Sequence, residues 1–295
     1  MNLLQCVQKL AARFEQADLF YGHGTDNAWD EAIYLVFTVL GIAFEQEPQE
    51  GDDLTLETQE ISEADLKHIQ ALAEQRIKLR LPMAYLVKQA WFAGLPFFVD
   101  ERVLVPRSPI AELILSQYEP LLESAPNRVL DLCTGSGCIG IATALVFPSA
   151  QVDLADISVD ALAVAQRNIE QHGLTDRVRA IQSDLFSGLL GTYDLIVSNP
   201  PYVSADEVAG LPAEYHHEPV LGLVSDDDGL AIPLQILRNA PAFLSEHGML
   251  VLEVGYSWEL LARRYPDLPV LWLDFDSGGE GVFAISRDAL IRAVW

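Results

Sequence analysis

The sequence predicts an α/β protein: a mostly parallel, doubly wound sheet with helices on both faces, preceded by a small helical domain. Three observations carry that expectation. From about residue 127 onward, short apolar runs alternate with segments of helical period, the pattern of a parallel sheet buried on both faces. The stretch "VLDLCTGSGCIG" (129–140) places a glycine-rich turn between the first such run and a helix. Residues 1 to about 90, by contrast, repeat their apolar positions at spacings of three and four.

In chain order, Leu3, Val7, Leu10, Ala11 and Phe14 define one helix face, and Ile33, Val36, Phe37 and Leu40 a second. Asp26 and Asn27 are placed to cap the second helix, with Asp30 and Glu31 early enough to favour its dipole. "EQEPQEGDD" (45–53) reads as a solvated acidic loop. "SEAD" (62–65) is a capping box with Asp as its acid, opening a helix that carries Leu66, Ile69, Ala73 and Ile77 and ends by Pro82. "AWFAGLPFFVDERVLVPRSP" (90–109) alternates aromatic and β-branched residues around Gly94-Leu95-Pro96 and Asp100-Glu101-Arg102. It predicts a hairpin or a pair of short strands. The resulting boundaries are a helical domain at 1–89, a β-hairpin linker at 90–109 and a sheet domain at 110–295.

Within the sheet domain, "RVLDL", "AQVDLAD", "RVRAIQSD", "YDLIVS", "GMLVLEVG", "LPVLWLDF" and "GEGVFAIS" read as strands. Helical patterns follow the first two, the second with Leu162, Ala165 and Ile169 on one face and Ser158 as its cap. Further helices are expected around 230–244 and 257–264. In such sheets ligands bind beyond the carboxyl ends of the strands, and every motif below falls at such an end.

The 295 residues include 43 acidic and 18 basic ones, a net charge of −25. That field repels phosphate backbones and attracts cationic partners, and no basic run offsets it, so stable nucleic-acid binding is not expected. No apolar window is long enough for a membrane span. Lys9 and Arg13 interrupt the first apolar stretch, unlike a signal peptide. Cys6, Cys133 and Cys138 lack zinc-site spacing. The expectation is a soluble cytoplasmic protein without a metal.

Gly135 and Gly137 let the backbone approach a ligand closely, and the following helix start offers unpaired N–H groups. Asp156 ends the next strand, where an acid accepts hydrogen bonds from ribose hydroxyls. Two cofactors suit this arrangement. Gly135, Gly137 and Gly140 satisfy the dinucleotide pattern G-x-G-x-x-G of a nicotinamide enzyme. S-adenosylmethionine also needs a close backbone and a ribose acid, but carries no pyrophosphate.

"SNPPYVSA" (198–205) separates the two. Pro200 and Pro201 have no N–H, so the turn offers carbonyl acceptors with few competing donors. Asn199 adds a side-chain oxygen, and Tyr202 a flat ring. Such a turn suits a planar –NH2 group, whose nitrogen is a poor nucleophile because its lone pair is delocalised. Acceptors on both hydrogens would orient it and stabilise the charge that develops during attack. Hydride transfer has no use for this turn. The reading is methyl transfer to a planar nitrogen, with an amide and an exocyclic adenine amine both open.

"DLCTGSG", Asp156, "SDLF" and "NPPY" resemble the protein-glutamine N-methyltransferases, the HemK-like family. "YGHGTDNAWDEA" (21–32), "AWFAGLPFFVDERVLVPRSPI" (90–110) and "EYHHEPVLGL" (214–223) are similar to its branch that acts on large-subunit ribosomal protein three. The other main branch acts on peptide-chain release factors. The resemblance implies a Rossmann-like class I methyltransferase sheet, S-adenosyl-L-methionine as cofactor and a basic ribosomal protein as partner. It implies a cofactor site of Asp131, Cys133, Thr134, Gly135, Ser136, Gly137, Asp156, Asp184, Leu185 and Asn199. Catalysis falls to Asn199, Pro200 and Tyr202, and glutamine binding to these with Pro201. The chain departs from the pattern at Cys133, where many methyltransferases have glycine, and at Leu185, where the release-factor branch often has Trp.

Four features stand outside that site. His23 is expected to touch substrate or to support its loop. His216-His217-Glu218 reads as a loop contact, Asp226-Asp227-Asp228 as a solvated helix cap or, alternatively, a contact for a basic substrate protein. Cys133 and Cys138 have no adjoining base, so neither is expected to be a nucleophile.

Overall fold

The computed structural model of the chain describes residues 1–42 and 58–293; the acidic stretch 45–53 lies outside them. The described residues form two compact units, one of Met1–Gln89 with Pro212–His217, the other of Ala90–Leu211 with Glu218 onward.

The first unit holds α1 (Leu3–Gln16), α2 (Ala28–Leu40), α3 (Glu63–Leu79) and α4 (Met83–Val87). Asn27 caps α2 by accepting from the Asp30 N–H, and Ser62 caps α3 by accepting from Asp65, so these helices start where short polar side chains satisfy orphan donors. On α2 the buried residues are Ala28, Ala32, Leu35 and Val36, with Glu31 and Tyr34. Ile33, Phe37 and Leu40 are only half-buried, because the helix is apolar on most sides and its period alone does not choose a face. Glu31 pairs with Arg76, which is 1% exposed and also donates to Glu214 Oε1 (2.9 Å) and to the Phe20 carbonyl (2.8 Å). Burial of this guanidinium is tolerated because each edge finds an acceptor. His23 is buried against the Tyr215 ring, centroids 4.5 Å apart.

The second unit opens with a two-stranded hairpin, β1 (Ala90–Phe92) and β2 (Leu95–Phe97), turned at Ala93 and Gly94 with positive φ. Strand structure stops there. Phe98 gives both backbone groups to the buried Asn168 carboxamide (2.8 and 3.0 Å), and the Val105 N–H goes to Glu218 (3.0 Å). Phe98 and Val105 are therefore bonded to side chains, not to a second ladder.

The elements that follow are α5 (Ile110–Leu115), β3 (Arg128–Leu132), α6 (Cys138–Val146), β4 (Gln151–Asp156), α7 (Val159–Gln171), β5 (Val178–Gln182), β6 (Tyr193–Ser198), α8 (Ala205–Val208), α9 (Ala231–Asn239), β7 (Leu244–Glu253), α10 (Trp258–Arg264), β8 (Leu271–Leu273), β9 (Val282–Ser286) and α11 (Arg287–Arg292). The sheet order is β5-β4-β3-β6-β7-β9-β8, with β3 to β7 mutually parallel and β9 antiparallel to both its neighbours. Alternation along each strand feeds two cores. Val129, Leu195, Val197 and Val251 pack with α5, α6 and α7, whereas Leu130, Leu132, Ile196, Leu250 and Leu252 pack with α9, α10 and α11.

Strands β3, β4 and β5 step outward in one direction, and β6 then returns to the far side of β3. That reversal opens a crevice at the carboxyl ends of β3 and β6. Leu132 and Ser198 are register partners, and the Ser198 hydroxyl donates to the Leu132 carbonyl at 2.6 Å. The glycine turn and the Asn-Pro-Pro-Tyr turn are thereby level with each other.

Candidate active site

The glycine turn holds itself in shape. Asp131, 1% exposed, accepts on Oδ2 from the Gly140 N–H (2.8 Å) and the Thr134 hydroxyl (2.5 Å). Burial pushes its pKa up to about 7, against the pull of these two bonds. The Thr134 N–H reaches across to the Ala155 carbonyl of β4 (3.1 Å). Cys133, Gly135 and Gly137 all have positive φ, of 61°, 55° and 83°. The first is a conformation that costs an L-residue about 1 kcal/mol or more. Around Cys133, burial and the neighbouring Asp156 and Asp131 carboxylates hold the group as a thiol. A Cβ on Gly140 would sit 2.2 Å from Leu154 Cδ2 and 2.8 Å from Asp131 Cβ, so this third glycine serves close packing of α6 on the sheet.

At the end of β4, Asp156 accepts from the Gly135 N–H on Oδ2 and the Ser158 N–H on Oδ1, both at 2.9 Å. Burial raises its pKa and the backbone bonds oppose the rise. A carboxylate has about four acceptor sites, so it keeps capacity for a hydroxyl beside these backbone donors. Beyond β5, Leu185 has φ 46° and the Ser183 hydroxyl donates to its carbonyl while accepting from Gly188 (2.9 Å).

These turns line a cavity of about 230 Å³. Among the residues singled out in the sequence, Cys133 to Ser136, Asp156, Asp184, Leu185, Asn199 and Pro201 face it. Asp131, on β3, Gly137, at the start of α6, and Pro200 and Tyr202 are not among the residues that line it. Asn199 is half-buried. Among the described residues its carboxamide makes no hydrogen bond, and the carbonyls of Asn199, Pro200 and Pro201 accept none. Four oxygens of the turn therefore accept no bond among the described residues, and two of the residues that carry them, Asn199 and Pro201, face the cavity.

Tyr202 is fixed from several sides. Its hydroxyl donates to Glu253 Oε1 (2.8 Å), and its carbonyl accepts from the Ser257 hydroxyl (3.1 Å). A Cβ on Gly255 would lie 2.4 Å from its ring.

Two further stretches of cavity wall lie outside the glycine and Asn-Pro-Pro-Tyr motifs: Arg102 to Ser108, and Pro219, Leu221 and Gly222. A bidentate pair joins them, Arg107 to both oxygens of the buried Glu218, each at 2.7 Å. The available signal was a pair of opposite charges in two quoted stretches, but 111 residues apart. His217 is elsewhere, bonded to the Leu79 carbonyl in the first unit (2.7 Å). Among the described residues no group of three or more His, Cys, Asp or Glu could hold a metal, and no helix is long and apolar enough to cross a membrane. The Asp226-Asp227-Asp228 side chains do not cap α9. The N-cap position is Leu230, whose side chain makes no capping bond; the Ile232 N–H is taken by the distant Ser225 hydroxyl (3.1 Å), while Asp227 pairs with Arg264 (2.7 Å); positive φ at Asp227 and Asp228 turns the chain before the helix starts.

Residues 111–212 match the family model of the methyltransferase small domain. The chain is similar to a ribosomal protein uL3 glutamine methyltransferase of Francisella tularensis, 46% identical over 93% of this chain and 87% of the relative. It is similar to one of Neisseria gonorrhoeae at 48% identity, over 95% and 92%. Among solved structures, the hMettl16 catalytic domain in complex with a MAT2A 3′UTR hairpin superposes with a TM-score of 0.53. At 16% identity over 76% of this chain and 81% of that one, it shares the class I methyltransferase fold.

Proposed function

The chain belongs to the family of ribosomal protein uL3 glutamine methyltransferases, and from that premise we propose that it methylates the side-chain amide nitrogen of one glutamine in uL3, using S-adenosyl-L-methionine. The observation that carries the chemistry is the set of unused acceptors on Asn199, Pro200 and Pro201, level with the glycine turn. The chemistry of the donor set supports the cofactor. Asp156 offers two partly free carboxylate oxygens for ribose hydroxyls, Gly135 has open space where a Cβ would stand, and Leu185 and Ile157 provide apolar wall. When bound, the cofactor supplies a methyl group activated on a sulfonium.

The protein's own part is to orient and polarise. The Asn199 side-chain oxygen and the Pro200 carbonyl accept the two amide hydrogens, which fixes the nitrogen and concentrates density on it. Preorganised acceptors of this kind contribute most where positive charge develops, as the nitrogen becomes four-bonded. The proton can leave after methyl transfer, so no base is needed in the bond-forming step. Tyr202 lies beside the amide plane. The 1–89 domain selects the protein substrate. Its basic partner is drawn in by the −25 charge, which raises the encounter rate; uL3 is made in the cytoplasm, and the enzyme works there.

The test is incubation with labelled cofactor and, separately, purified uL3, a peptide-chain release factor and an adenine-rich oligonucleotide. Label on a glutamine of uL3 is expected. Label only on the release factor or the oligonucleotide refutes the assignment.

A further inference from the structure

Glu253 is the last residue of β7, at the end of the apolar run 249–252, and is 4% exposed. A carboxylate in that place is costly unless hydrogen-bonded. It accepts two bonds from two different walls of the site. The Tyr202 hydroxyl, from the Asn-Pro-Pro-Tyr turn, donates to Oε1 at 2.8 Å. The Ser108 hydroxyl, which faces the cavity together with Asn199, donates to Oε2 at 2.5 Å. Ser108 accepts in turn from the Ile110 N–H (3.2 Å), so its own proton is committed to Glu253. Burial raises the Glu253 pKa, and the Ser108 and Tyr202 hydrogen bonds and the nearby Arg107 charge oppose that rise.

The Tyr202 backbone and ring face are already constrained by Ser257 and Gly255, and Gly229, at φ 88°, would place a Cβ 2.1 Å from the Tyr202 carbonyl. These contacts fix where the ring sits. The hydroxyl bond to Glu253 holds the phenol end.

We propose that Glu253 is a positioning residue: a double acceptor that ties the Tyr202 hydroxyl to the Ser108 wall and so sets the angle of the ring beside the substrate amide. The proposal rests on the methyl-transfer reading for what lies against the ring. Misplacement of a reacting group by about 1 Å can lower a rate roughly a hundredfold, so loosening the tilt acts on kcat and not on cofactor binding.

Glu253→Gln keeps the volume but presents an –NH2 to one of two hydroxyls. It is expected to lower kcat about tenfold or more, with the KM for cofactor and the dissociation constant of S-adenosylhomocysteine within about twofold of wild type. Tyr202→Phe deletes only the hydroxyl and is expected to lower kcat comparably. The double variant should be no slower than the slower single one, because both changes cut the same tie. A purely structural role would instead weaken S-adenosylhomocysteine binding, and the two losses would multiply. A wild-type kcat in Glu253→Gln, or multiplied losses, overturns the proposal. If Glu253→Gln does not fold, Tyr202→Phe and Ser108→Ala carry the test, and an unchanged kcat in both overturns it. The variants are compared on whichever substrate the wild type labels, so a wrong substrate is separable from a wrong tie. A crystal structure of Glu253→Gln with S-adenosylhomocysteine provides a readout without activity: a displaced Tyr202 ring is expected, and an unmoved one sinks the idea.

Discussion

The two turns that meet at the switch point are built on opposite plans. In the turn after β3 several polar groups are consumed internally. Asp131 holds Thr134 and Gly140, Asp156 holds Gly135, and Thr134 holds Ala155. In the turn after β6 the acceptors of Asn199, Pro200 and Pro201 are unused among the described residues, and the turn is held at its two ends, by Ser198 and Tyr202. The first turn supplies a rigid shape, the second a chemistry. Two prolines make the second plan possible, since residues without N–H groups cannot satisfy their neighbours' carbonyls.

The largest expected effect falls on the second turn. Asn199→Ala removes one of the proposed amide acceptors and no internal hydrogen bond. It should lower kcat about a hundredfold to a thousandfold while leaving S-adenosylhomocysteine affinity within about threefold, measured by initial rates and calorimetry. Equal losses in both would mean that Asn199 belongs to the frame, and the contrast between the turns would fail.

Gly140→Ala strikes the frame instead. The new methyl meets Leu154 at 2.2 Å and Asp131 at 2.8 Å, and overpacking of this kind costs about 1–3 kcal/mol. Chemical denaturation should show that loss of stability. A variant as stable as wild type would show that α6 can rise off the sheet without penalty.

What the sequence made legible is what local chemistry encodes. Helix starts at Asn27, Ser62 and Ser158 are capped by the residues expected, because a cap bonds within three positions. The glycine turn and the switch point follow from strand alternation and one short motif. The tie of Ser108 to Glu253 spans 145 residues and that of Arg107 to Glu218 spans 111; no periodicity points to either. Residues 98–109 carry the alternation of strands, yet the partners of Phe98 and Val105 are Asn168 and Glu218 side chains, so propensity was overridden by distant acceptors. Residues 212–217 lie between stretches of the second unit but pack in the first, around Arg76 and Glu214. A buried ion pair leaves no trace in either local pattern.

Asp131 gives the frame a pH signature. Its folded pKa is raised to about 7, above the ordinary carboxylate value it regains on unfolding. Between about pH 4 and about pH 7 the folded form therefore holds a proton that the unfolded chain has lost. Stability falls as pH rises through that window, by at most about 1.4 kcal/mol per pH unit. Asp131→Asn can still accept from Thr134 and Gly140 but carries no charge. Relative to wild type it should gain about 1–2 kcal/mol of stability between about pH 5 and about pH 8. A constant difference between the two proteins across that range would show that Asp131 titrates normally.

The smallest expected effect is at Cys133, the residue that takes a glycine's conformation without being one. Its φ of 61° costs about 1 kcal/mol, which Cys133→Gly removes. The same change frees the unfolded chain by about 0.5–1 kcal/mol and withdraws a small apolar side chain from the cavity wall. These terms oppose each other, so the net stability change should stay within about 1 kcal/mol. Burial and two carboxylates keep the thiol protonated, so kcat should stay within about threefold. A collapse of methyl transfer in a folded Cys133→Gly protein would mean that the frame does more than hold shape, and that the sulfur itself contacts the bound reactants.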